Sequence, residues 1–281
     1  MTLKRINLKA VGVASQDSFV MEALPAINRI VNQEYVLAKY AQTFEKTVED
    51  IKKALETPPE IRFSSVTTFN AFVDVDIQLN DERTNGWFWA GQDNGGFDWS
   101  NYLNVNERYF PTNISTLSRE AKRNHQVYFI TIVLHELTHW LQFKLEAISP
   151  QNPYPGEPTR ELGENLELDL LGGRMASYYF ESRNDEFKID GVVLLLSERG
   201  QEHSVWQSPC RMLSESYFKF FFEDMEKLLE EVQTMRRDLL SGMPDGASLK
   251  APLCGCETQG NTSDSSYQIK IAKRPMGDRR G

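Results

Sequence analysis

Residues 133–142 read Val-Leu-His-Glu-Leu-Thr-His-Trp-Leu-Gln. His135 and His139 are four residues apart, about one turn of a helix, so on a helix they share a face. That places two imidazoles where one ion can accept both, and neutral imidazole is a good zinc ligand. Glu136 is turned about 100° from His135 around the same helix. From there its carboxylate can reach a metal-activated water without itself binding the metal. Zinc brings the pKa of such a water to about 7, and a glutamate in this position takes its proton as the water attacks a carbonyl. The bland alternative is a chance His-Glu-x-x-His on an ordinary core helix. The flanks argue against it: Ile132, Val133, Leu137, Trp140 and Leu141 are apolar. Two histidines and a glutamate on a core helix are costly to bury without partners. The chain has four histidines, and two of them sit in this pattern.

A catalytic zinc needs a third protein ligand and an open position. His125 lies ten residues before His135 and His203 far downstream, and neither has the spacing of a third histidine that follows the motif closely. The stretch Thr-Arg-Glu-Leu-Gly-Glu-Asn-Leu-Glu-Leu-Asp-Leu-Leu-Gly-Gly, residues 159–173, offers Glu161, Glu164, Glu167 and Asp169 instead. Glu164 and Glu167 share a helix face. A solvated acidic helix is the usual fate of such a run, but a carboxylate ligand one loop after the histidine helix requires the same pattern. Peptide hydrolysis also needs a donor for the developing oxyanion. His203, Arg211 and Tyr217 are candidates for it.

The elements that must position these groups follow from periodicity. Residues 17–57 carry apolar residues at helical spacing and predict one or two helices, ended by Pro58-Pro59. Residues 61–79 are rich in β-branched and aromatic residues, and 71–79 alternate as a half-buried strand does. Asn-Gly and Gly-Gly pairs break residues 80–97 into a turn or hairpin. Residues 100–110 form another short strand, the candidate edge on which a substrate could lie as an added strand. A helix then spans 115–147, with Ser115 or Ser118 as N-cap, and the run Val-Tyr-Phe-Ile-Thr-Ile-Val-Leu inside it predicts burial on most sides. The prolines and glycine of 149–158 make a loop. The acidic helix is closed by Gly172-Gly173, and 211–240 reads as one long amphipathic helix. From about Ser241 the chain is poor in large apolar residues and reads as a loose tail.

His-Glu-x-x-His followed by a glutamate on a second helix resembles the gluzincin metallopeptidases. The resemblance implies a zincin-like α+β fold: N-terminal helices and a twisted mixed sheet, a central motif helix and a helical C-terminal part. The corresponding division is one metallopeptidase domain over 1–240, sheet-containing over 1–114 and helical over 115–240, with a flexible tail over 241–281. The chain departs from the thermolysin group. Thr159 stands twenty residues after His139, where that group has its ligand, and no glutamate of the acidic helix has an aspartate four residues on. Locally the chain is similar to the clostridial neurotoxin light chains, whose ligand glutamate begins a Glu-Leu-x-x-Phe-Gly-Gly run; here Glu167 begins Glu-Leu-Asp-Leu-Leu-Gly-Gly. It is also similar to fungal His-Glu-x-x-His proteins with a glutamate-rich helix ending in Gly-Gly. The resemblance covers about 40 residues, from Ile132 to Arg174. It implies one zinc ion held by His135, His139 and Glu167, with Glu136 as base and Glu164 orienting a histidine; Glu164 and Glu161 stay open as alternative ligands. The light chains' late Arg-x-x-Tyr pair has no counterpart here.

The motif and the resemblance together imply a zinc-dependent metalloendopeptidase acting on a peptide or protein. A net charge of -9 speaks against nucleic acid as a partner, since phosphate binding needs a cationic surface. No apolar run suggests a membrane span or a signal, and Cys210, Cys254 and Cys256 are not a disulfide framework, so a cytoplasmic location is expected. An intracellular protease without a visible pro-segment would suit a narrow substrate range. Two other functions fit the motif: a zinc-stabilised binding module that does not cut, against which the intact Glu136 speaks, and a metallohydrolase of a non-peptide amide.

Overall fold

The computed structural model describes residues 5–64, 86–87, 98–107, 117–146, 162–180, 191–195, 210–241 and 269–271. Helices and strands are mixed, with helices predominating. The described elements in chain order are β1 (Lys9–Val11), α1 (Ser18–Val31), α2 (Glu34–Thr43), α3 (Val48–Ala54), β2 (Glu60–Ser64), β3 (Gly86–Trp87), β4 (Tyr102–Asn106), α4 (Arg119–Lys144), α5 (Leu162–Leu171), β5 (Arg174–Phe180), β6 (Gly191–Leu195), β7 (Cys210–Met212), α6 (Glu215–Glu223), α7 (Met225–Ser241) and β8 (Ile269–Ile271).

The first sheet has the order β1-β2-β4-β3. The first two pairings are parallel and β3 runs antiparallel to β4. Parallel neighbours need a crossover, and α1 to α3 supply the one between β1 and β2. Asp17 caps α1 by accepting from the amides of Phe19 and Val20. Asn32 grips the approach to β1: its carboxamide accepts from Ile6 N at 3.0 Å and donates to Ile6 O at 2.8 Å. The helical stretch expected over 17–57 is three helices rather than one or two. A positive φ of 52° at Glu45 turns the chain after α2, and a Thr47–Asp50 capping box starts α3.

The strand expected at 100–110 is β4, but it is not an edge. β2 and β3 flank it, and Leu103 to Asn106 are all buried, as suits a strand covered on both faces. Among the described strands, the edges of this sheet are β1 and β3. The alternating run 71–79 lies outside the described residues, as does most of 80–97.

The second half is less helical than its sequence suggests. A second sheet of order β7-β6-β5-β8, antiparallel throughout, follows α5. One of its two outer strands, β8, falls in the segment read as a loose tail. The long helix expected over 211–240 starts late and is broken: 210–212 is strand, and Asp224 leaves helical geometry at φ -157° between α6 and α7. Asp224 then accepts from Lys227 N at 3.2 Å, capping the next helix. Phe218, Phe221, Met225, Leu228 and Val232 are buried, so the amphipathic pattern holds on both pieces.

α4 is the axis of the fold. It touches β3 and β4 of the first sheet, β5 and β6 of the second, and helices α1, α3, α5 and α6. Ser118 caps it, accepting from Ala121 N at 3.1 Å. Every residue from Val127 to Thr138 is buried.

Candidate metal-binding and catalytic site

α4 carries the histidine motif through the middle of the core, where a side chain's position is set by packing on all sides. Two polar contacts tie the helix to its neighbours, and a third lies within it. The Tyr40 hydroxyl of α2 donates to the Leu134 carbonyl at 3.1 Å, and Thr138 Oγ1 donates to the same carbonyl at 3.0 Å. One turn further on, Trp140 Nε1 donates to Ser100 O at 3.0 Å, tying α4 to the entry of β4. Leu134 directly precedes His135, so these bonds bear on the motif itself.

The two imidazoles lie close together. Their ring centroids are 5.3 Å apart and the rings are tilted by 60°. His135 and Glu136 are both buried. Glu167 of α5 is 2% exposed and reaches across to α4: its Oε1 lies 2.7 Å from His135 Nδ1. Its Oε2 accepts from the amide of Met175, at the start of β5, at 2.8 Å. A buried carboxylate is tolerable only when bonded in this way.

Gly163 of α5 lies against His135. A Cβ built there would stand 2.5 Å from both Cε1 and Nε2 of the imidazole and 2.6 Å from Cδ2. Near-equal distances to three ring atoms place that point over the ring face rather than beyond its edge. Only glycine allows α5 to come so close.

The structure sets His135 beside both His139 and Glu167, and Glu136 is buried next to His135 on the same helix. Glu164 is on α5, three residues before Glu167. Glu161 and His203 lie outside the described residues. Arg211 is in β7, opposite Leu194 of β6. Tyr217 is fully buried, with its hydroxyl 3.4 Å from the Leu171 carbonyl at the end of α5. Burial and the nearby Glu167 charge both push its pKa well above the ordinary tyrosine value. Burial does the same to Tyr40, against a smaller opposing effect of its bond with Thr138. His125 is a core residue, edge-on to Phe19 with centroids 6.4 Å apart. Ten residues of helix put it about 15 Å along the axis from His135.

Gly163 and Tyr40 escaped the reading of the sequence. Gly163 did leave a signal: a glycine inside a helix costs about 1 kcal/mol relative to alanine, so its presence there points to close packing. Tyr40 left none, because its partner is 94 residues away.

No protein-family model, curated protein or solved structure matches the chain. Among the described residues no helix is long and apolar enough to cross a membrane. The donors at the site suit zinc in kind: two imidazoles on one helix face and a buried carboxylate beside them. As they stand they do not form a complete set, since no group of three or more His, Cys, Asp or Glu among the described residues is placed to hold one ion.

Proposed function

We propose that this chain is a zinc-dependent metalloendopeptidase of zincin-like fold. The observation that supports it is the conjunction at α4: His135 and His139 side by side on a buried helix, Glu136 between them in sequence, and an acidic helix packed against them. His135 and His139 would hold the ion, with a carboxylate of α5. When bound, zinc supplies Lewis acidity, which makes water nucleophilic near neutral pH and polarises the scissile carbonyl.

The rest of the work falls to the chain. Glu136 takes the proton from the attacking water as the new C–O bond forms. It then delivers that proton to the departing amide nitrogen as the C–N bond breaks. A buried carboxylate exchanges its proton with bulk water poorly, which keeps the transfer within the site. Tyr40 and Thr138 hold the turn that carries His135 and Glu136. An extended substrate adds to an open strand edge, and β3, at the edge of the first sheet and touching α4, is the nearest described place for it.

The test is cleavage of a diverse peptide library, read by mass spectrometry, with Glu136→Gln as control. General-base removal costs on the order of 10²–10⁴-fold, so wild type should cut and the variant should lose nearly all activity while retaining zinc. The cut positions also measure how narrow the substrate range is. Equal cutting by both proteins would sink the assignment.

A further inference from the structure

The sequence resemblance casts Glu167 as the third metal ligand. The geometry points elsewhere: we propose that Glu167 is a positioning residue, which holds the His135 imidazole by its Nδ1–H and is not a ligand. The proposal rests on the metallopeptidase reading only in what it says about zinc.

Distance decides first. Two ligands about 2.0–2.1 Å from one tetrahedral ion stand roughly 3.3 Å apart. Glu167 Oε1 and His135 Nδ1 are 2.7 Å apart, the length of a charge-assisted hydrogen bond rather than of a ligand pair. The carboxylate's second oxygen is also bonded, accepting the Met175 amide at 2.8 Å. Glu167 thus joins three elements, α4, α5 and β5, through two bonds.

The partner atom decides next. A carboxylate on Nδ1 makes that nitrogen the proton carrier. The lone pair is then on Nε2, which becomes the nitrogen able to ligate. Carboxylates in this relation to a metal-binding histidine fix its tautomer and its ring direction. Gly163, from the same helix, packs on the ring's face. One helix therefore sets both the rotation of the imidazole and the place of its proton. The third donor must come from another residue, and Glu164, a carboxylate one turn before Glu167 on α5, is the one to test first.

Three measurements on the full chain decide it. In the zinc-free protein, nitrogen NMR should show a proton on His135 Nδ1; a lone pair there overturns the proposal whether or not zinc binds. In a crystal structure of the zinc-loaded wild type, Glu167 should remain on His135 Nδ1 and away from the ion. A Glu167 oxygen at ligand distance overturns the proposal, and this arm needs no variant to fold. In solution, Glu167→Ala should keep one zinc per chain with affinity reduced about 10–100-fold. Its cobalt-substituted form should keep the wild-type visible spectrum, because the coordination shell is unchanged. Loss of stoichiometric zinc in a folded Glu167→Ala, or a changed cobalt spectrum, counts against the proposal. If wild type binds no zinc while His135 still carries its Nδ1 proton, the peptidase reading fails and the positioning of His135 by Glu167 stands.

Discussion

Gly163 is the smallest residue at the site and among the most constrained. An added methyl would stand within van der Waals radii of three atoms of His135. Two opposing magnitudes set the outcome of Gly163→Ala. Helix propensity favours alanine by about 1 kcal/mol, while overpacking a filled core costs about 1–3 kcal/mol. The expected net change in urea unfolding is a loss of about 1 kcal/mol. Zinc affinity should fall further than that suggests, by about tenfold or more, because the ring that must move is the proposed ligand. A variant more stable than wild type, with unchanged zinc affinity, would show that the ring is not fixed by this contact. At this scale the sequence was most legible where chemistry is local. That His135, Glu136 and His139 share one helix can be read from spacing alone. The bond between Glu167 and Met175 N could not be, because it depends on how α5 ends and β5 begins.

At the scale of elements, the ends of the helices carry the information. Ser118 is the N-cap of α4, and Ser118→Ala should destabilise the fold by about 1 kcal/mol in thermal or urea unfolding. An unchanged midpoint would mean the cap bond contributes nothing. The helices α4 and α5 were legible because a serine opens the first and Gly172, at φ 75°, closes the second. The second sheet was not. Gly191–Leu195 is a five-residue apolar run, and such runs fit a buried strand or a piece of buried helix equally well. Cys210–Met212 adjoins a long helical pattern, and the helix expected over 211–240 takes in two of its three residues. β8 has three residues and draws its pairing from β5, about 90 residues earlier. β4 was recognised as a strand but placed wrongly in its sheet, since neighbour order is set by tertiary pairing and leaves no mark on the strand itself.

For the whole molecule, two of the tyrosines that hold the site also set its behaviour at high pH. Tyr40 and Tyr217 are fully buried, and their pKa values are raised above the ordinary value of 10.0. Burial together with the charges of Asp169 and Glu226 pushes the half-exposed Tyr35 up to about 12. Above pH 10 the unfolded chain releases protons that the folded chain keeps, so the unfolded state binds fewer and stability falls as pH rises. The contribution of these groups is fully present below pH 10 and is lost through their raised folded values. Urea unfolding from pH 8 to pH 11 should show that decline. Tyr40→Phe should cost about 1 kcal/mol at pH 8 from the lost bond to Leu134 and show a shallower decline above pH 10. An identical slope in the variant would remove Tyr40 from the account. α4 packs against both sheets with His125 and His135 buried and His139 half-buried, a costly placement that on the proposed function serves a metal ion. The most direct measurement is the zinc content of the purified full chain, by mass spectrometry after dialysis against excess metal, for wild type and His139→Ala. One zinc per wild-type chain and none in the variant is the predicted result. No zinc in wild type, or the same amount in both, would contradict the claim.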